Sequence, residues 1–216
     1  MNYFLFKIAL NYTVLIPAVI GMIRFKKMLP DFYPFVFLIW LGWLNETLNI
    51  AMIYTYQSNT INSNLYVILE YGLILLQFYK WNGTSVNKYR VFAILGLAVW
   101  FTDNAIIHSI TENNSLFRVF LSFVVVFLSI DQINKILVFE KGMLLKNAVF
   151  IICIGFLFYF GCKAFVESFN ILRFGLSNLF LGNLWTILYF VNAFTNALFA
   201  LAMLWIPGKQ KFILRY

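Results

Sequence analysis

The sequence predicts an all-α integral membrane protein: a single domain of about seven transmembrane helices, with the N-terminus outside and the C-terminus cytoplasmic. The 216 residues are 62% hydrophobic and 11% charged, whereas soluble domains are about 45–50% apolar and about 25% charged. The apolar residues form near-continuous runs long enough to cross a bilayer. Lys and Arg are concentrated in alternate loops. These three observations lead to the predicted fold class.

The apolar runs are separated by short polar breaks, and together they occupy most of residues 1–216. Backbone polar groups in lipid must be satisfied internally, and continuous rather than alternating apolar runs favour helices over a barrel. Pro17 lies inside the first run and should bend that helix, because proline removes a helical hydrogen bond. The predicted spans are 3–23, 33–55, 65–81, 91–110, 116–138, 147–166 and 182–205.

The distribution of positive charge predicts the orientation. Basic residues occupy the first, third and fifth loops and the tail, whereas loops 56–64 and 111–115 have none and loop 167–181 has only Arg173. Because cytoplasmic loops are enriched in Lys and Arg, the odd-numbered loops should be cytoplasmic. The basic residues are Arg24, Lys26, Lys27, Lys80, Lys88, Arg90, Lys135, Lys141, Lys146, Lys209, Lys211 and Arg215.

This pattern places the chain in a plasma or inner membrane, with the lipid bilayer as its main partner. The net charge of +8 then reflects topology, and no nucleic acid is expected as a partner. No cofactor is expected either, since the last span contains no lysine that could hold retinal. The chain has one His and no HExxH motif, so no metal site is predicted.

Polar side chains inside the predicted spans indicate where a site lies, because such groups are costly in lipid and usually face the bundle interior. In the second span, Asn45, Glu46 and Asn49 share one broad face. Comparable stripes occur on the third, fourth and seventh spans, and the fifth and sixth each contribute one cation. The candidate ligand-binding residues are Asn45, Glu46, Asn49, Glu70, Gln77, Asp103, Asn104, His108, Arg118, Lys163, Tyr189, Asn192 and Asn196.

Most of the ionisable candidates fall in the outer half of the predicted bundle, so the sequence predicts one outward-facing polar pocket. A structural reading stands beside this one, since single polar side chains often only hold membrane helices together. Lys163 and Glu167, four residues apart, are expected as an interfacial ion pair. Asp131 and Lys135 are expected as another, near the cytoplasmic end.

Three functions from different classes fit these features. The first is a sensor-like or ligand-binding module that takes a small polar or amphipathic ligand and signals through a cytoplasmic partner protein. The second is a membrane-embedded lipid hydrolase, in which Glu46, Glu70 and Asp103 supply paired carboxylates for acid–base catalysis. The third is a small-solute transporter or a structural subunit. The sequence favours the first.

Overall fold

The described part of the protein is almost entirely helical. A computed structural model describes residues 3–83, 86–139, 143–172 and 177–209. It is 90% helical, and within these residues it contains no β-strand. Among the described residues, seven helical segments are long and apolar enough to cross a membrane. The all-helical architecture and the number of span-length helices predicted from the sequence are therefore confirmed.

Eight α-helices build these seven segments, because the first segment is interrupted. The predicted bounds hold to within one residue for the first, second and fifth spans. The third and fourth spans begin five residues earlier than predicted, the sixth ends six residues later, and the seventh begins four residues earlier. The helices are α1 (Tyr3–Asn11), α2 (Leu15–Arg24), α3 (Tyr33–Tyr56), α4 (Thr60–Asn82), α5 (Val86–Phe101), α6 (Ser115–Phe139), α7 (Ala148–Leu172) and α8 (Asn178–Trp205).

The break between α1 and α2 is a 3-10 turn at Tyr12–Val14. It lies about one turn before Pro17, where the proline ring excludes the normal helical hydrogen bond to the preceding turn. Local signals also set other helix ends. Ser177 caps α8 by accepting a hydrogen bond from the Phe180 N–H at 3.2 Å. Gly83 ends α4 with a left-handed backbone at φ 53°.

The seven segments close into a ring. Each helix contacts its sequence neighbours, and α8 returns to contact α1 and α2. Helix α4 also contacts α6 directly, so α5 lies outside that pair rather than at the centre of the bundle. The interior is therefore formed by six segments, with α5 excluded.

Two glycines allow helices to approach closely. A Cβ on Gly96 of α5 would lie 2.1 Å from Tyr71 Cε1 of α4, and the buried Tyr71 hydroxyl donates to the Phe92 carbonyl at 2.7 Å. A Cβ on Gly155 of α7 would lie 2.6 Å from Phe199 Cε1 of α8. Small residues serve this purpose in membrane helices because they let backbones approach.

The two ends of the bundle differ in charge. One end, here called the 108–114 end, carries the connections 57–59 and 108–114, which contain no Lys or Arg. The other, called the 25–32 end, carries the connection 25–32 and the last described residues. There Arg24 donates to the Met203 carbonyl at 2.9 Å and to the Leu204 carbonyl, at the C-terminal end of α8. The described connections at the 25–32 end contain Lys26, Lys27, Lys146 and Lys209.

The expected pairing of Asp131 with Lys135 occurs at this basic end. Their oxygen and nitrogen atoms lie 3.0 Å apart, and Lys88 from α5 contacts the same carboxylate oxygen at 3.1 Å. Lys135 also donates to Asn82 Oδ1 at 2.9 Å. Asp131 is thus the centre of a small network linking α4, α5 and α6 near the 25–32 end.

Candidate functional site

A cavity of about 180 Å³ lies inside the ring, in the half of the bundle nearer the 108–114 end. Every span-length segment except α5 contributes to its wall. The volume is below the ~300–1,000 Å³ usual for drug-sized ligands, so the space suits a small molecule.

The cavity wall changes in character with depth. Its rim contains the half-buried polar residues Asn49 and Trp185, and its floor is formed by the buried rings of Phe156, Phe160 and Phe199. Phe156 and Phe199 contact each other edge to face with ring centroids 5.4 Å apart. The site is therefore polar towards the 108–114 end and apolar towards the bundle centre.

Many of the candidate residues predicted from the sequence meet in this wall, and they come from α3, α4, α6, α7 and α8. They are Asn45, Glu46, Asn49, Glu70, Arg118, Lys163, Asn192 and Asn196. Gln77, Asp103, Asn104, His108 and Tyr189 are not part of it.

The charged side chains of the wall form ion pairs between helices. Lys163 Nζ of α7 lies 3.3 Å from Glu70 Oε2 of α4, and both side chains are buried. Arg118 of α6 approaches Glu167 of α7, with the nitrogen and the oxygen 3.8 Å apart. The expected Lys163–Glu167 pair is therefore wrong: each of these residues takes its partner from another helix, because the ring places α4 and α6 on either side of their shared face.

Tyrosines lie among these charges. The Tyr66 hydroxyl donates to Glu70 Oε1 at 3.1 Å. Lys163 Nζ lies 5.3 Å from the centre of the Tyr159 ring. The Tyr159 hydroxyl is within electrostatic range of Glu46, Glu70, Arg118 and Lys163, which come from four different helices. These four charged side chains all line the same cavity.

Glu46 differs from the other two glutamates of the wall. Its Oε2 accepts a hydrogen bond from Asn11 Nδ2 at 3.1 Å, and Asn192 Nδ2 donates to Asn11 Oδ1 at 3.3 Å. Within the described ranges, no Lys or Arg lies within ion-pair distance of Glu46. Glu46 is thus a carboxyl group in a polar cavity with amide neighbours, and no described Lys or Arg pairs with it directly.

Amide and hydroxyl groups complete the wall. Asn62 Nδ2 donates to Asn45 Oδ1 at 2.9 Å and to Asn49 Oδ1 at 2.8 Å. Asn196 Nδ2 donates to Thr13 Oγ1 at 2.9 Å. Thr195 is 1% exposed, and its Oγ1 has no hydrogen-bond partner among the residues that the structure describes. A ligand in the cavity could satisfy this hydroxyl.

Asp103, Asn104 and His108 lie beside the bundle interior rather than in it, because the α4–α6 contact keeps α5 outside. Asp103 Oδ2 accepts from the Phe117 N–H at 2.7 Å, and Oδ1 contacts His108 Nδ1 at 2.9 Å. Asp103 and Asn104 lie within a π-helical turn, Thr102–Ile107, at the end of α5, and His108 directly follows this turn. They fix the start of α6 and the 108–114 connection, and the expectation that they join the pocket is corrected.

Gln77 and Tyr189 also have other contacts. Gln77 is fully buried towards the 25–32 end, where it accepts from the Phe35 N–H at 2.8 Å and donates to the Asp31 carbonyl at 2.7 Å. It therefore holds the start of α3 and cannot extend the cavity. The Tyr189 ring faces Lys7, whose Nζ lies 5.4 Å from the ring centre.

Some wall residues were missed by the sequence analysis. Asn11 was a polar residue inside the first apolar run, and this was a usable signal. Tyr159 had no signal, because one tyrosine within an aromatic-rich run resembles its neighbours. Glu167 was seen but assigned to the membrane interface. The described residues include no group of three or more His, Cys, Asp or Glu side chains placed to hold a metal ion.

The cavity thus combines three carboxyl groups, two cations, several amides and an aromatic floor. It can bind a small molecule that offers both polar and apolar surface. No protein-family model matches this chain, and neither the curated proteins nor the solved structures compared with it give a match.

Proposed function

We propose that this chain is an integral membrane protein that binds a small polar or amphipathic ligand in the cavity within its helical ring. In this proposal the N-terminus is outside, the 108–114 end faces outward and the ligand enters from that side. The protein acts as a sensor-like module, and its output passes to a partner protein at the 25–32 end, which faces the cytoplasm.

Two surface features support membrane insertion and this orientation. Large apolar side chains on the outside of the ring are well exposed, including Ile23 at 74%, Ile94 at 66% and Phe139 at 80%. A soluble protein rarely exposes an apolar surface that covers all its sides. The described connecting segments at the 25–32 end are basic, whereas the described connections 57–59 and 108–114 at the other end contain no Lys or Arg.

The observation that carries the proposal is the convergence of charged side chains from four helices around the cavity. Charged groups are costly inside a membrane and in most cases mark a functional path or site. Residues that only hold helices together can contact one another directly and need no shared cavity. Here Glu46, Glu70, Arg118 and Lys163 line one cavity together with Tyr159.

The arrangement favours ligand binding over transport. A carrier needs a polar path towards both faces, but this cavity ends at buried phenylalanine rings. Gln77, the polar residue further along α4, already bonds to the backbone at the start of α3. The hydrolase alternative is weakened too, because Asp103 is away from the cavity and Glu70 is paired with Lys163.

The test uses the full chain in lipid nanodiscs, incubated with a total extract of lipids and metabolites. Mass spectrometry follows which compounds are retained and which are consumed. We expect the wild-type protein to retain a small compound without consuming it, and Glu46→Gln to lose that retention. Glu112→Gln is the matched control, because Glu112 is exposed in the 108–114 connection. Consumption of the compound would favour the hydrolase instead, and equal behaviour of all three proteins would refute the proposal.

A further inference from the structure

We propose that the ligand carries a positively charged ammonium group, which binds beside Glu46. This inference rests on the proposed function and specifies the ligand class for the same cavity. Because the cavity volume is about 180 Å³, the class comprises small alkylammonium compounds, including quaternary ammonium ions.

The first argument is charge balance within the wall. Glu70 is paired with Lys163 and Glu167 with Arg118, but the described residues provide no such partner for Glu46. With all five groups ionised, the cavity carries one net negative charge. An isolated carboxylate inside a helical bundle is costly unless a countercharge joins it. A cationic ligand supplies that charge.

The second argument concerns the groups around Glu46. The Tyr66 and Trp185 rings line the same cavity as the Glu46 carboxyl group. Aromatic faces attract ammonium groups through their electron-rich surfaces, and quaternary ammonium ions are the best-known ligands of such sites. Glu46 and aromatic rings therefore offer the two recognition elements that an ammonium ion needs.

The third argument is that the wall holds an unsatisfied polar atom and an apolar floor. Thr195 Oγ1 is buried in the wall without a partner in the described part of the chain. Leaving a buried hydroxyl unpaired is unfavourable, so a ligand that hydrogen-bonds to it gains affinity. Beyond it, Phe156 and Phe199 can cover an alkyl segment. A hydroxyl-bearing alkylammonium such as choline offers all the matching groups within a small volume.

The experiment measures binding of radiolabelled choline and ethanolamine to the full chain in nanodiscs made of phosphatidylglycerol, a lipid with no amine. The competitor 3,3-dimethyl-1-butanol, an uncharged analogue of choline, tests whether the charge is required. The variants are Glu46→Gln, Glu46→Asp, which retains the charge, and Glu112→Gln as the control. A melting temperature for each variant shows that it is folded.

We expect choline, ethanolamine or both to bind to the wild-type protein, and we expect 3,3-dimethyl-1-butanol not to displace them. Glu46→Gln should weaken binding by roughly tenfold or more, because the variant removes the negative charge that balances the ammonium group. Glu46→Asp should retain part of the affinity, and Glu112→Gln all of it. If Glu46→Gln does not fold, the uncharged analogue decides the question: failure of 3,3-dimethyl-1-butanol to displace the bound probe supports the inference, whereas displacement at concentrations similar to those of choline overturns it.

The amine could also belong to a lipid headgroup, so a second arm uses nanodiscs that contain phosphatidylethanolamine or phosphatidylcholine. Native mass spectrometry then asks whether one such lipid stays bound to the wild-type protein and is lost in Glu46→Gln. Retention of the lipid without binding of the free amines supports an ammonium ligand that comes from the bilayer. Retention of only neutral or anionic compounds from the extract would overturn this inference but leave the proposed function intact. No retention in any arm would overturn both.

Discussion

Removing the cation from the Glu70–Lys163 pair provides a quantitative test of the interior. The pair is buried, with 3.3 Å between Lys163 Nζ and Glu70 Oε2. In Lys163→Met, Glu70 keeps its hydrogen bond from Tyr66 but loses its countercharge. Removing one partner of a buried ion pair costs about 3–5 kcal/mol, because the remaining charge is uncompensated. We expect a loss of unfolding free energy in that range.

The complementary change should have a smaller effect. In Glu70→Gln, Lys163 still faces the Tyr159 and Phe160 rings at 5.3 and 5.4 Å, and such contacts contribute up to about 2 kcal/mol when desolvated. The double variant leaves neither charge unpaired, so its stability should lie within about 1–2 kcal/mol of the wild-type value. The two single effects should therefore be strongly non-additive.

The assay is reversible unfolding in mixed detergent micelles, applied to the wild-type protein, both single variants and the double variant. The coupling free energy follows from the double-mutant cycle. Single variants that each lose less than about 1 kcal/mol, or effects that simply add, would refute the direct pairing of α4 with α7 on which the cavity depends.

The remaining predictions concern packing, the 108–114 end and topology. Gly96→Ala should lower the unfolding free energy by about 1–3 kcal/mol in the same assay, because the new methyl group meets the buried Tyr71 ring. Gly72→Ala, where nothing lies within 4 Å of the added Cβ, is its control and should show no such loss. Asp103→Ala should lower the unfolding free energy by about 0.5–2 kcal/mol, the usual cost of losing a helix cap, and should leave ligand retention unchanged. Loss of ligand retention without a change in unfolding free energy would contradict the position of α5 outside the cavity. In intact cells, a membrane-impermeant thiol reagent should label Glu112→Cys but not Lys26→Cys, and the reverse result would invert the proposed orientation.

The fold could be predicted from the sequence because the bilayer allows few solutions. Length, apolar runs and alternating charge together determine the number of spans, and Pro17 indicated where the first segment bends. The ends of the helices were harder to predict from the sequence. The third span was predicted from residue 65, but α4 starts at Thr60, because Asn62 and Asn64 make side-chain hydrogen bonds to other segments and do not end the helix.

The site was predicted in part, and the errors have one physical cause. Helical spacing shows which residues share a face, so Asn45, Glu46 and Asn49 were correctly grouped on α3. Spacing does not show which helix stands opposite that face. The contact of α4 with α6, which excludes α5 and its Asp103, depends on packing between distant parts of the chain. For the same reason, helical spacing led us to expect an ion pair between Lys163 and Glu167, whereas the structure pairs Lys163 with Glu70 and Glu167 with Arg118.

The measurement that tests the central claim most directly is the reactivity of a cysteine placed in the cavity wall. Asn192→Cys is introduced after Cys153 and Cys162 are replaced by Ala, with Phe190→Cys as the control, because Phe190 lies on the same helix but is 52% exposed on the outer surface of the ring. The account predicts that a membrane-impermeant, positively charged thiol reagent added outside labels Asn192→Cys but not Phe190→Cys. Absence of labelling at Asn192→Cys, or labelling only from the cytoplasmic side, would contradict an outward-facing polar cavity within the ring.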